Sequence, residues 1–348
     1  MTDPAASTSA SPDSFATTSS TWMTASCDES SGQWSKHDSE ILAKRYVIQA
    51  ILSRTSFGIT FLARNIYLPG QPLCVIKKFA PKFNDPALVA IARGQFELEA
   101  LMLSRLGTHA QIPTLLDYFE LGRDRYLVEE YIPGVVLAQT IQKQQPFTAE
   151  QVENFLVQML RLLEYIHSHH LIHRDLKPQN IILCQTDRRF VLLDFGSVKN
   201  LDAASAISGD RTISDASRSI GTSGFAPPEQ LANRAVYASD IYALGMTCIC
   251  LLVGKEPSQL PVDPHTCELM WADNVDICED LSQIISKMTQ ISLADRYHSA
   301  TQVLAALENR AIRAKLRTYL DQKHAVSKTD RIESPAVVHW ALGIATAD

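Results

Sequence analysis

The chain has 348 residues, 46% of them hydrophobic and 20% charged, and its 32 Lys and Arg against 38 Asp and Glu leave a formal net charge of −6. At roughly 150 residues per domain, this length suits about two domains and a core that needs no disulfide or metal staples. The acidic balance argues against nucleic acid or an anionic membrane surface as the main partner.

Cys27, Cys74, Cys184, Cys248, Cys250, Cys267 and Cys278 are odd in number, scattered and never spaced C-x-x-C, so neither a zinc site nor a disulfide framework is expected. A reducing compartment follows. Met1 to Ala10 has no basic or apolar signal region, and the longest apolar run, Ile241 to Gly254, falls short of the ~20 residues of a membrane helix. The expectation is a cytoplasmic chain without a membrane span.

Residues 1–38 are dominated by Ser, Thr, Ala and Asp and read as a disordered leader, because so little apolar surface cannot offset the entropy of ordering. From Tyr46 the texture becomes short β-type runs: Tyr46–Leu52, Gly58–Asn65 and Leu73–Phe79. A helix over Pro86–Leu106 follows, ended by Gly107, and then strands at Asp117–Leu121 and Arg125–Tyr131. Five strands and one helix make a small α+β lobe over residues 46–132.

At Pro133-Gly134 the pattern turns mainly helical, giving a larger lobe over residues 133–308. Thr148-x-x-Gln151 reads as a capping box ahead of Val152, Phe155, Leu156, Met159, Leu163 and Ile166, whose spacing marks one buried helical face. Two short β runs between Ile181 and Asp194 flank the turn Thr186–Arg189. Helices are expected at Ile241–Val253, Asp280–Thr289 and Ser299–Tyr319. No internal repeat is visible, and the tail over 309–348 carries no motif.

The most informative stretch is His173-Arg174-Asp175-Leu176-Lys177-Pro178-Gln179-Asn180, with Asp194-Phe195-Gly196 close behind. Through these motifs the chain resembles the serine/threonine class of protein kinases, over roughly residues 46–308. Gln111-Ile112-Pro113-Thr114-Leu115-Leu116 and Gly224-Phe225-Ala226-Pro227-Pro228-Glu229-Gln230 resemble bacterial, particularly cyanobacterial, members.

The resemblance implies a bilobal fold that transfers the γ-phosphoryl group of Mg-ATP to Ser or Thr hydroxyls of protein substrates, with autophosphorylation. It implies Asp175 as catalytic base, Lys177 steadying the transferring phosphate, and Asn180 with Asp194 as magnesium ligands. Cys74-Val75-Ile76-Lys77 occupies the place of V-A-I-K, so Lys77 would meet the α and β phosphates; alternation on a strand sends Lys78 to the other face.

Glu97 and Glu99 both compete to be the helix-borne partner of Lys77. Glu99 shares a stripe with Phe96, Leu103 and Leu106, whereas Glu97 neighbours Arg93, Gly94 and Ser104. A carboxylate on an apolar stripe calls for a cation, so Glu99 is expected to face Lys77 and Glu97 to be solvated.

The segment Leu52 to Gly58 stands where the family has G-x-G-x-x-G, yet only Gly58 remains; Ser53 and Thr55 replace the other two glycines. Their side chains should hinder backbone approach to the phosphates. Tyr126-Leu127-Val128-Glu129-Glu130-Tyr131-Ile132 resembles the hinge, with backbone groups of Glu130 and Ile132 receiving adenine. That register puts Glu129 at the gatekeeper place, where it points elsewhere or meets a nearby cation, or else affects specificity.

Pro227-Pro228-Glu229 stands for A-P-E, with Arg296 expected to meet Glu229, and Asp240, opening the apolar helix, is expected to brace the catalytic loop. Thr222 favours Ser/Thr acceptors. Ser205, Ser208, Thr212, Ser214, Ser217, Ser219 and Thr222 are hydroxyls whose phosphorylation could pair with Arg174. Two rival readings stand beside the protein kinase. A pseudokinase without turnover draws on the missing glycines, and a small-molecule kinase of the same fold is opposed by Lys177 and the Gly221–Glu229 segment. Nothing in the sequence sets the physiological substrate or the oligomeric state.

Overall fold

The computed structural model describes residues 41–201, 222–265, 269–313 and 315. The expected leader and most of the tail lie outside them.

The chain first builds an antiparallel sheet from β1 (Ile41–Leu42), β2 (Tyr46–Arg54), β3 (Gly58–Asn65), β4 (Leu73–Phe79), β5 (Leu115–Leu121) and β6 (Asp124–Glu130). Its spatial order is β1-β2-β3-β4-β6-β5. The expected five strands are therefore six: β1 pairs Ile41 with Val47 and Leu42 with Tyr46, and two residues are too few to leave a periodic signal. The inner ladders β3–β4 and β4–β6 run without a register shift. β2 slips twice against β3, and β5 once against β6.

Alternation gives this sheet two different faces. Tyr46, Ala63, Cys74, Ile76, Tyr126 and Val128 form a small buried cluster on one. Leu127, on the other, joins the main core with Ala100, Met102, Leu103 and Leu106 of helix α1 (Pro86–Leu106). α1 begins where the sequence places it: the Asp85 carboxylate accepts from the Ala87 amide at 2.8 Å, and Pro86 takes the first position, where no amide partner is needed.

The rest of the described chain is mainly helical. α3 (Ala149–Ser168) has the Thr148–Gln151 capping box in both directions, and its six expected core positions are fully buried. Around it lie β7 (Gly134–Val136), the short α2 (Leu137–Gln142) and β8 (Leu171–Ile172). β9 (Ile181–Cys184) and β10 (Phe190–Leu192) flank the expected turn, and β7 adds to β9 to make a three-stranded sheet. β11 (Lys199–Asn200) pairs with β8.

Beyond the segment outside the description come α4 (Pro228–Leu231), α5 (Tyr237–Val253), α6 (Glu279–Met288) and a helix α7 over 300–313. α5 starts four residues before the expected Ile241. The Ser239 hydroxyl accepts from the Val236 amide at 3.1 Å and closes an earlier first turn, so Asp240 lies inside the helix and does not open it. α5 ends on Gly254, whose φ of 69° is left-handed and whose amide donates to Cys250.

Candidate active site

The catalytic-loop residues follow β8 and are fixed from below by α5. Asp240, fully buried, accepts from the His173 amide on Oδ2 and from the Arg174 amide on Oδ1, both at 2.9 Å. His167 of α3 meets the same Oδ2 at 3.0 Å. Burial would raise the Asp240 pKa, but the His167 contact and the backbone donors outweigh it and hold the carboxyl below its ordinary value. Arg174 has a φ of 69°, a left-handed conformation that costs roughly 1–2 kcal/mol for a side chain with Cβ. Asp240 holds that conformation from one side, and Gln230 of α4, donating to the Arg174 carbonyl at 2.6 Å, holds it from the other.

This bracing presents Asp175 inside a ring of hydrogen bonds. Lys177 Nζ lies 2.9 Å from Asp175 Oδ2, and the Asn180 amide donates to that oxygen and to the Asp175 carbonyl, each at 2.9 Å. Thr222 donates to Asp175 Oδ1 at 3.0 Å and accepts from Lys177 Nζ at 2.7 Å. His173 Nδ1 accepts from the Asp175 amide at 3.3 Å, and its ring stands edge-on to Phe195 with centroids 5.1 Å apart. Burial pushes the His173 pKa down, so the ring is neutral there.

Asn180 is fully buried, and its Oδ1 has no hydrogen-bond partner among the described residues. The Leu193 amide donates to the Asn180 carbonyl at 2.8 Å, so the chain brings Asp194 up beside it. Asp194 also has a left-handed φ, 62°, and its Oδ1 accepts from the Gly196 amide at 3.2 Å. An orphaned amide oxygen next to a carboxylate is the donor set a hard divalent cation prefers, so these residues fit magnesium.

Lys77, on β4, reaches two carboxylates. Its Nζ lies 2.5 Å from Glu99 of α1 and 3.1 Å from Glu129 of β6. Burial alone would lower the Lys77 pKa, but Glu129, Glu99 and Asp194 together raise it well above the ordinary lysine value. Burial, partly offset by Lys77, pushes Glu99 up to about 7, and the same cause raises Glu129. Glu129 thus meets a cation and does not point elsewhere. Glu97 is exposed, as expected, and on that surface it pairs with Arg125 of β6, a helix-to-sheet contact that sequence spacing cannot show. Lys78 points to the other face and pairs with Asp124 at 2.6 Å.

The segment expected to lie over the phosphates is tied by its own contacts. Ser53 stays in the β2–β3 ladder opposite Thr60, while the Thr55 hydroxyl turns back on the loop and accepts from the amides of Phe57 at 3.2 Å and Gly58 at 3.1 Å. Gly58 is demanded by packing, since a Cβ there would come within 2.0 Å of the Lys78 carbonyl oxygen. Leu52 lies near the end of β2. At the far side, the Glu130 amide donates to the Thr114 carbonyl at 2.9 Å and its carboxylate accepts from the Thr114 hydroxyl at 3.1 Å. Ile132 is buried with Cys184, Val191 and Leu193.

Arg296 is fully buried and meets Glu229 at 2.6 Å, as expected; Ser239 also donates to Glu229, at 2.9 Å. Arg174 Nε donates to the Ser197 carbonyl at 2.6 Å. Of the hydroxyls proposed to face it, Thr222 is described, and Ser205, Ser208, Thr212, Ser214, Ser217 and Ser219 lie outside the described residues. His167, Gln230, Ser239 and the Thr55 hydroxyl take part in this site without having been singled out for these contacts; each is a common polar residue whose partner is distant in sequence or set by loop geometry.

No helix among the described residues is long and apolar enough to cross a membrane. Residues 57–308 match the protein kinase domain family. The chain is 45% identical over 265 residues to serine/threonine-protein kinase B of Synechocystis sp., covering 76% of this chain and 46% of that protein. It is 36% identical over 271 residues to serine/threonine-protein kinase PknA of Nostoc sp., covering 77% and 48%. Over 278 residues it is 38% identical to serine/threonine-protein kinase C of Synechocystis sp., covering 77% and 50%. The chain thus spans about half the length of these curated relatives. With well over half of its own length matched and the motif residues gathered around Asp175 and Lys77, the chain belongs to the protein kinase domain family.

Proposed function

We propose that this chain is a serine/threonine protein kinase that transfers the γ-phosphoryl group of Mg-ATP to Ser or Thr hydroxyls of proteins, itself included. Residues 46–132 are the smaller lobe and residues 133–308 the larger. The observation that carries this reading is the ring of donors around Asp175. A carboxylate offers about four lone-pair sites, so Lys177, Asn180 and Thr222 fix its orientation and leave room for an acceptor hydroxyl.

In the proposed reaction the acceptor oxygen bonds to the γ-phosphorus while the bond from that phosphorus to the bridging oxygen breaks, and ADP leaves with the electron pair. The hydroxyl proton goes to Asp175. Lys177 balances charge on the moving phosphoryl group, and Lys77, held by Glu99, binds the α and β phosphates. Leu52 and Gly58 would cover the nucleotide, and backbone groups of Glu130 and Ile132 would receive adenine. Asn180 and Asp194 would hold magnesium, which when bound neutralises charge on the phosphates. Four of the described cysteines are buried free thiols, which suits a reducing cytoplasm as the working compartment.

The test is incubation of the full chain with labelled ATP, Mg²⁺ and a generic basic protein, comparing the native chain with Asp175→Asn and Lys77→Met. Each substitution is expected to cut incorporation by about 10²-fold or more. Equal incorporation in all three would refute the assigned roles.

A further inference from the structure

Lys77 is shared between two carboxylates carried by elements that are tied to it in different ways. Glu99 rides on α1, a helix docked against the sheet through its apolar stripe. Glu129 belongs to β6, the strand hydrogen-bonded to β4 itself. Cross-strand partners are Val75 with Glu129 and Lys77 with Leu127, so Lys77 and Glu129 are diagonal neighbours on one face. The ladder between them has no register shift. Both Glu129 oxygens lie close to Lys77 Nζ, at 3.1 and 3.2 Å, and the residue is 3% exposed.

The local charge is therefore lopsided: one ammonium faces Glu99, Glu129 and Asp194, where a polyphosphate would also have to lie. An ion pair needing only burial and one partner would be complete with Glu99. A second buried carboxylate adds a desolvation cost, and it opposes any anion brought to the same nitrogen. A pair carried by one sheet also persists whether or not α1 is docked.

We infer that Glu129 is a positioning residue that competes with the nucleotide phosphates for Lys77, holding the ammonium on the sheet in the empty site and so weakening nucleotide affinity. The inference rests on the reading of Lys77 as the cation for the α and β phosphates. Binding then requires the phosphates to draw Lys77 away from Glu129 while Glu99 keeps its grip. Glu129 thereby sets how much nucleotide the site needs before it fills.

The experiment is calorimetric titration of the full chain with MgADP, together with steady-state KM and kcat for MgATP, on the native chain, Glu129→Gln and Glu129→Leu. Removing the competing charge is expected to lower the MgADP Kd by about tenfold, within the range of effects of one charge at this separation. KM for MgATP should fall more than kcat changes. Glu129→Leu, which restores an apolar contact without charge, carries the comparison should the Gln variant not fold. An unchanged or weaker Kd in the folded variants, with native protein that binds nucleotide and transfers phosphate, overturns the inference alone. Native protein that binds no nucleotide overturns both it and the proposed function.

Discussion

Asp240→Asn probes how the catalytic loop is held. The native carboxylate receives the His173 amide on one oxygen and the Arg174 amide on the other, each at 2.9 Å, with His167 at 3.0 Å. Asparagine keeps the shape but has one acceptor oxygen, so its NH2 group must oppose one of these two backbone donors. The loss is one charge-assisted bond, about 1.5–3 kcal/mol, plus a buried amide left unsatisfied, about 1–3 kcal/mol. A total near 4 kcal/mol is a large share of the ~5–15 kcal/mol that holds a domain folded. The functional effect has a second source. The left-handed φ of Arg174 depends on the bond from its amide to Asp240, and relaxation there would turn Asp175 out of its ring of donors. Urea unfolding with steady-state transfer assays on the same protein should show both effects: a stability loss of about 3–5 kcal/mol, and a kcat reduced by at least about tenfold with a smaller change in KM for ATP. A stability loss under about 1 kcal/mol with native kcat would refute the bracing argument.

Ser53→Gly with Thr55→Gly removes the hydroxyl that occupies the Phe57 and Gly58 amides, and freeing them should tighten nucleotide binding about fivefold, near 1 kcal/mol; an unchanged or weaker calorimetric Kd would count against it. Arg296→Met leaves Glu229 and the carbonyls of Ala238, Gln290 and Ile291 without their buried cation and should cost about 3–5 kcal/mol in urea unfolding, a loss below ~1 kcal/mol being the contrary result. Glu99, pushed up to about 7, gives a pH test with opposite signs. The folded state binds its proton more tightly than the unfolded chain, so the Glu99 contribution makes stability fall as pH rises from the ordinary glutamate range towards 7. Transfer activity should rise over the same window as the carboxylate needed by Lys77 ionises. Glu99→Gln should lessen the stability slope, leaving the part that Glu129, raised by the same burial, contributes; a slope undiminished in that variant would place the titration elsewhere.

Much of this was legible in the sequence because the signals were local. Pro86 and Gly107 bound α1 within the chain itself, and Thr148 with Gln151 starts α3. Offsets of three, four and seven sufficed to turn Glu99, and not Glu97, towards Lys77. What escaped was set by distant partners. β1, β7, β8 and β11 are two or three residues long, so only pairing across the fold defines them. The earlier start of α5 depends on Ser239, a serine that in isolation reads as an ordinary polar position. The direction of Glu129 follows from alternation once β6 is beside β4, but that neighbour relation skips a strand in chain order. Thr55 was singled out for its size, whereas the structure shows its hydroxyl accepting from the Phe57 and Gly58 amides, a loop contact that spacing does not reveal.

The placing of the register slips has a consequence for how this molecule tolerates crowding. Open flanks of a sheet invite another chain to add itself, and among the described residues β2, paired with β1 only at Tyr46 and Val47, is such a flank; β5 is the other. β2 carries its irregularities against β3 and β5 carries its own against β6, outside the β3–β4–β6 centre, where the added local twist spoils the straight row of amides and carbonyls that an intruding strand would need. The middle strands, which carry the lysine and its carboxylate, keep an unbroken ladder. Geometry that must be exact in the interior and uninviting at the rim is thus obtained from one sheet by distributing its defects outward.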